Sequence, residues 1–274
     1  MELRELQLEE LKILKEALKI IKKHNLRYYM LGGTFLGAVR HKGFIPWDDD
    51  VDIGLPRDDY EKFCQFAKEE LEVPYKISSY SIEENHNGYC SRVVNKNILL
   101  VRDDAVKEKS EYLWCDIFPL DGMPDCKIAR KLHQFNLLFK RLLLQWSKIE
   151  TGINMKKKRS GFEAFLIKLG FVVSKIFHFD VKKRLNAVDK CLRRYDYDKS
   201  KYVVNFMGAY KFKEMFPKAL YDNSTLYDFE DIKLMAPKDY DKVLTQMYGE
   251  YMKPPAENQR FSHSIKIEEK NNDK

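Results

Sequence analysis

The chain has 274 residues, 44% hydrophobic and 13% aromatic, which suits one large domain or a domain with a substantial second lobe and excludes a disordered chain. Its 49 Lys and Arg against 42 Asp and Glu leave a net charge of +7, which favours an anionic partner (phosphate, nucleic acid or an acidic membrane surface) without choosing among them, and which a solvated basic surface explains equally well. The five cysteines, Cys64, Cys90, Cys115, Cys126 and Cys191, are odd in number and form no C-x-x-C pair, so reduced thiols of a cytoplasmic protein are expected rather than a disulfide framework or a zinc cluster.

The charged start, Met1-Glu2-Leu3-Arg4-Glu5, is no secretory signal, and no run approaches the roughly 18 apolar residues of a membrane span. Leu11, Leu14, Leu18 and Ile21 fall on one stripe and predict an amphipathic helix over 3–24, stopped at Asn25. Tyr28-Tyr29-Met30-Leu31 then reads as a short buried strand ended by Gly32-Gly33, with Thr34 as N-cap of a helix through Arg40. A loop over 41–49 carries Gly43 and Pro46, a second strand runs over 51–55 to Pro56, and Asp58-Asp59 can cap a helix bearing Tyr60, Phe63, Phe66 and Ala67. Strands are expected at 75–80, 89–94, 98–101 and 112–118, and the turn-rich Pro119-Leu120-Asp121-Gly122-Met123-Pro124 marks a boundary. Residues 127–149 and 160–195 are basic and helical in pattern, 200–261 is mixed and aromatic, and 266–274 reads as a disordered tail. The expected organisation is α+β: a strand-rich catalytic core over 1–125 and a mainly helical lobe over 126–265 that completes the site.

The chemistry concentrates in Trp47-Asp48-Asp49-Asp50-Val51-Asp52-Ile53. Residues two apart on a strand share a face, so Asp50 and Asp52 point one way while Val51 and Ile53 point the other. Two carboxylates about 4 Å apart repel by about 4 kcal/mol at an effective dielectric of about 20, a repulsion that a fold does not need and that a divalent cation reverses. An all-oxygen set suits Mg2+ or Mn2+. Asp48 and Asp49 are as well explained as a solvated acidic loop, and a calcium loop of EF-hand type fits poorly, because its sixth position would be Ile53 instead of Gly and its twelfth Asp59 instead of Glu. A third acidic residue is needed to complete a two-metal site or to act as base, and Asp116, isolated in the apolar strand Leu113-Trp114-Cys115-Asp116-Ile117-Phe118, is the best candidate. Asp121 is explained more simply as a turn residue.

Gly32 and Gly33, between a strand and a helix, let a phosphate approach the backbone, and with Thr34 they form a candidate phosphate cradle. Either glycine could simply serve a tight turn; their place just upstream of a D-x-D strand is what strengthens the signal. Arg40, Lys42, Arg57 and Arg92 lie near these elements and are candidate phosphate clamps or exposed surface charge. Trp47 could stack on a base or a choline group, or belong to the core. His263, a lone histidine in Arg260-Phe261-Ser262-His263, is by itself weak evidence of a site.

The whole stretch from Leu31 to Ile53, with Leu55-Pro56-Arg57-Asp58-Asp59-Tyr60, resembles the signature of the LicD family. Asp116-Ile117-Phe118-Pro119-Leu120-Asp121-Gly122 resembles the family's next block, and Tyr248-Gly249-Glu250-Tyr251-Met252, Pro254-Pro255, Arg260 and His263 its C-terminal block. The helical middle, 127–200, carries no such motif. The resemblance implies a nucleotidyltransferase-like mixed sheet core and a transferase that takes phosphocholine from CDP-choline, or an alditol phosphate from a CDP-alditol, to a hydroxyl of a bacterial surface glycan such as lipopolysaccharide, teichoic acid or capsule, releasing CMP. It implies Asp50 and Asp52 as the metal pair and Asp116 as the third acidic position, and it adds weight to His263. It leaves the donor's head group open.

Three competitors remain: an aminoglycoside-type nucleotidyltransferase acting on a nucleoside triphosphate, a nucleic-acid-binding protein with steeply salt-dependent affinity, and a catalytically silent assembly partner. The intact acidic set argues against the silent partner, and no nucleic-acid partner is expected. Because the family's acceptors are often lipid-linked, a peripheral contact with the inner membrane face is also expected. Its candidate is 155–179, where a basic run leads into an apolar helical face that a buried helix of the second lobe explains as well.

Overall fold

A computed structural model describes residues 2–83, 86–102, 109–148, 161, 169–171, 173, 179–256, 260 and 265–269. Helix α1 (Leu3–Lys23) buries the expected stripe of Leu11, Leu14, Leu18 and Ile21, and ends where Asn25 adopts a left-handed conformation. Strand β1 (Tyr29–Met30) leads directly into α2 (Gly32–His41), followed by β2 (Asp52–Pro56), α3 (Arg57–Glu70) and β3 (Tyr75–Ser78). The two strands expected at 89–94 and 98–101 are one, β4 (Ser91–Arg102); its register against β5 (Lys109–Met123) shifts between Asn95 and Leu99, and that irregularity is what the polar interruption Asn95-Lys96-Asn97 signals in the sequence.

The sheet is mixed, in the order β1-β2-β5-β4-β10, where β10 is Ile265–Glu269. Only β2 and β5 run parallel among these pairs, Asp52 standing opposite Asp116 and Pro56 opposite Leu120; the others are antiparallel. This is the α+β class that the sequence implies. Two boundaries need correction. Residues 119–123 are not a turn but the end of β5, whose Asp121–Met123 segment pairs with β6 (Tyr202–Val204), so the sheet continues across position 125 into the second half of the chain. Residues 266–269, expected in a disordered tail, are paired with β4.

Beyond α4 (Lys127–Ser147) and α5 (Val181–Leu192), the second half is less helical than expected. Strand β6 pairs with β7 (Met215–Pro217); α6 (Lys218–Asp222) leads to the separate hairpin β8 (Ser224–Phe229) and β9 (Ile232–Pro237), and α7 (Tyr240–Tyr248) follows. Phe229, Leu234, Leu244 and Met247 are buried in the same core as α1 and β2, whereas α4 and α5 close a smaller core around Leu137, Leu144, Leu185 and Val188. Most of 155–179 lies outside the described residues, and among the described residues no helix is long and apolar enough to cross a membrane.

Candidate active site

The acidic loop is held in place from three sides. Gln7 of α1 donates from Nε2 to the carbonyls of Ile45 (3.1 Å) and Asp48 (2.8 Å). The tip of the β8–β9 hairpin supports the loop from below: Glu230 donates its amide to the carbonyl of Lys42 and accepts the Phe44 amide on its carboxylate, which Arg4 binds in turn. Thr34 does not cap α2, which begins two residues earlier with Leu31 at the N-cap; its Oγ1 instead accepts the Asp52 amide at 2.8 Å, while the Asp52 carbonyl takes the Leu31 amide. The start of α2 and the start of β2 are thereby pinned to each other.

Over this junction lies a cleft of about 240 Å³, lined on one side by Gly32, Gly33, Asp48, Asp50 and Asp52, and on the other by Asn205, Tyr210, Glu214 and Tyr248. The two glycines keep the backbone here close to the acidic side chains. Gly32 has φ +48°, and a Cβ there would stand 3.5 Å from an Asp52 carboxylate oxygen and 3.8 Å from the Tyr248 hydroxyl. A Cβ on Gly33 would meet an Asp48 carboxylate oxygen at 2.5 Å.

Burial, then Asp50, Asp116 and Asp48, push the Asp52 carboxyl well above the usual carboxylate range. On α1 the buried Glu10 is raised in the same way, by burial and by Asp50, Asp49, Asp48 and Asp116; its Oε2 has no hydrogen-bond partner. Mutual repulsion among these carboxylates is what a divalent ion would relieve, and the donors are hard oxygens, so the residues fit magnesium or manganese. Among the described residues no three His, Cys, Asp or Glu side chains are grouped closely enough to hold an ion.

Asp116 lies beside Asp52 in the β2–β5 register, but its carboxylate is engaged: it accepts from Arg92 Nε (2.9 Å), Trp114 Nε1 (3.0 Å) and Cys90 Sγ (3.2 Å). Arg92 itself stacks over Trp114, 4.1 Å from the ring centroid. Arg92 therefore orients a carboxylate and is not free to clamp phosphate. Arg57 is corrected more sharply. It is buried, and its guanidinium is used by Asp121 (2.7 Å from Nε), Asp189 (3.1 Å) and the Tyr89 hydroxyl (2.9 Å). This pair ties α3 to the end of β5 and to α5, which also explains Asp121 as a buried partner and not a turn residue.

Arg40 donates to the Tyr251 carbonyl and lies 5.8 Å from the Trp47 ring, whose other cationic neighbour, Arg260, is at 4.4 Å. Trp47 is thus engaged by arginine at the rim. Lys42, left-handed at φ 58°, follows α2 with an exposed side chain outside the cleft lining. His263 lies outside the described residues.

The cleft's second wall was missed in the sequence. Glu214 is buried, accepts from Asn205 Nδ2 (2.7 Å) and the Tyr210 amide (3.0 Å), and burial pushes its carboxyl up to about 7. Tyr210 and Tyr248 meet at right angles, with ring centroids 5.2 Å apart. Tyr248 lies in the C-terminal block that the sequence pointed to, but Asn205, Tyr210 and Glu214 sit where only a mixed aromatic pattern was legible. All five cysteines are free thiols, as expected.

Against known proteins, residues 25–131 match the family described as LicD/FKTN/FKRP, nucleotidyltransferase domain. That segment runs from β1 to the first turn of α4 and contains Gly32, Gly33, Asp50, Asp52 and Asp116. Over 271 residues, 95% of this chain and 96% of the relative, the chain is 28% identical to the lipopolysaccharide cholinephosphotransferase LicD of Haemophilus influenzae. It is also 26% identical over 135 residues to the ribitol-5-phosphate transferase FKTN of Mus musculus, covering 49% of this chain and 27% of that protein. With the ribitol 5-phosphate transferase FKRP of Homo sapiens it shares 45% identity over 40 residues, 15% of this chain and 8% of that protein. The two-glycine start of α2, the Asp50 and Asp52 pair and the Asp116 strand all fall within the segment that is similar to the LicD/FKTN/FKRP nucleotidyltransferase domain.

Proposed function

We propose that the protein is a phosphotransferase that moves phosphocholine, or a related alditol or glycerol phosphate, from a CDP-activated donor to a hydroxyl of a surface glycan, releasing CMP. The observation that carries the reading is the convergence of Asp48, Asp50 and Asp52 with Gly32 and Gly33, at the start of α2, in one cleft. Gly32 and Gly33 leave room for the donor phosphates against the α2 amides. Asp50 and Asp52 would hold magnesium or manganese, which when bound would offset phosphate charge and the mutual repulsion of the carboxylates. Thr34 fixes the Asp52 backbone. The acceptor oxygen attacks the phosphorus that bears the head group, the bond from that phosphorus to CMP breaks, and CMP leaves with the electron pair. The hydroxyl proton passes to Asp116, whose carboxylate Arg92 and Trp114 keep in place beside Asp52.

Phosphocholine is preferred because of the second wall. Two perpendicular tyrosine rings and a buried carboxylate at one corner of the cleft suit a quaternary ammonium, which is attracted to ring faces and to Glu214. The relative from Haemophilus influenzae, named for cholinephosphate transfer to lipopolysaccharide, supports the same choice. An acceptor linked to lipid and work at the cytoplasmic face of the membrane belong to the proposal as well.

The test is CMP release from CDP-choline, CDP-ribitol and CDP-glycerol, alongside the neutral 3,3-dimethylbutyl analogue of CDP-choline. CDP-choline should be turned over best, with the uncharged analogue at least about tenfold poorer. Pyrophosphate release from a nucleoside triphosphate, with no CMP from any CDP donor, would instead identify nucleotide transfer.

A further inference from the structure

Helix α4 buries one face and leaves the opposite one apolar. His133, Leu137 and Leu144 point into the smaller core. On the other side Ile128, Leu132, Phe135, Leu138 and Phe139 are 74%, 68%, 72%, 42% and 51% exposed. At about 100° per residue, Ile128, Leu132, Phe135 and Phe139 fall within about 60° of one another, so they form a continuous stripe along three turns, with Leu138 widening it. Single exposed apolar residues need no explanation, but a contiguous stripe with two phenylalanines does.

The charges around it are of one sign. The 21 residues of α4 include Lys127, Arg130, Lys131, Lys140 and Arg141, and no Asp or Glu. Arg130 and Arg141 are used internally, over the Tyr202 ring and on the Phe206 carbonyl, whereas Lys127 and Lys131 are exposed along one flank of the stripe. The packed neighbour α5 adds Lys182, Lys183, Arg184 and Lys190 against a single acidic residue, Asp189, which is already bonded to Arg57 and Arg193.

We propose that the exposed face of α4 seats the protein on an anionic lipid surface, with the phenylalanines and leucines entering the headgroup boundary and Lys127 and Lys131 meeting lipid phosphate. An apolar face with basic flanks is the combination that binds acidic interfaces. A second copy of the chain is a poorer occupant: two α4 faces brought together would oppose lysines with no carboxylate on the helix to meet them. The proposal concerns α4 alone and does not depend on which head group is transferred.

Flotation of the intact protein with phosphatidylcholine vesicles, with and without phosphatidylglycerol, at low and high salt tests it. The protein should float with the acidic vesicles at low salt and be released by high salt. Phe135→Glu combined with Phe139→Glu should weaken flotation on the order of tenfold or more, and Lys127→Glu combined with Lys131→Glu should do so at low salt, both with an unchanged melting temperature, since these side chains are exposed. Wild-type flotation of the Phe135→Glu and Phe139→Glu protein overturns the proposal, as does absence of binding to acidic vesicles at low salt. A concentration-dependent dimer that the same substitutions dissolve in sedimentation would assign the face to a second copy.

Discussion

Asp52 and Asp116 stand opposite each other on the parallel strands β2 and β5, yet among the described residues Asp116 is held by one cation and two further donors and Asp52 has no ion-pair partner. Asp116 accepts from Arg92, Trp114 and Cys90, whereas among the described residues Asp52 forms no ion pair and has Asp50, Asp48 and Asp116 for charged neighbours. The fold therefore compensates one carboxylate and leaves the other to be compensated from outside. Asp52→Asn should reduce transfer by at least about 10²-fold while raising the stability of metal-free protein by on the order of 1 kcal/mol, because it removes a raised carboxyl from a repulsive cluster. Turnover and melting temperature measured on the same preparation decide it; near-normal turnover would remove Asp52 from the mechanism. Asp50→Asn should reduce transfer in the same way.

The same charge pattern makes a binding prediction that needs no substrate. Magnesium or manganese should raise the melting temperature of the wild type, since a ligand that binds only the folded state stabilises it by mass action. The shift should vanish in Asp52→Asn. In the activity assay, chelation followed by dialysis should abolish CMP release, and either ion should restore it. An equal thermal shift in both proteins would place the ion elsewhere.

Gly32 combines a left-handed backbone with proximity to Asp52 and Tyr248, and Gly32→Ala separates the two demands. The strained φ should cost about 1 kcal/mol of stability. The added methyl fits its immediate neighbours in ordinary contact but occupies the approach to the α2 amides, so the KM for the donor should rise more than kcat falls. Unchanged KM with lowered stability would mean that the glycine serves only the turn.

Much of the first wall of the site was legible because its signals are local. The alternation Asp50-Val51-Asp52-Ile53, the glycine pair before a helix and the isolated Asp116 in an apolar strand each announce themselves within a few residues. What sequence could not give was partnership at a distance. Arg57 sits beside the motif in the chain, but the sheet carries Asp121 and α5 carries Asp189 to it, which converts a candidate clamp into a buried tie. Glu10 occupies one place in an ordinary amphipathic pattern, and only the packing of the acidic loop on α1 makes it unusual. Glu214 and Tyr210 reach the cleft through the pairing of β6 with β5 and β7, a non-local event without periodicity to mark it.

Glu214 gives the last prediction, and its sign follows from the direction of its shift. Burial is the main cause, and it raises the folded-state carboxyl from 4.5 to about 7. Between those values the folded protein holds a proton that the unfolded chain has released, so the stability contributed by this group is present at low pH and lost as pH rises through that window. Glu214→Gln keeps the shape and much of the hydrogen bonding to Asn205 and Tyr210 but cannot ionise. The variant should therefore gain stability relative to the wild type by about 2 kcal/mol at about pH 8, with little gain at about pH 5. Denaturant melts of metal-free protein at both pH values give the difference directly. A gain of the same size at both would mean that packing, and not the proton, distinguishes the two side chains. The cost should appear in recognition: with the carboxylate gone, the preference for CDP-choline over its uncharged 3,3-dimethylbutyl analogue should shrink, while the affinity for CMP, which carries no head group, should stay as it is. If the preference survives intact, Glu214 shapes the loop between β6 and β7 but does not read the cation.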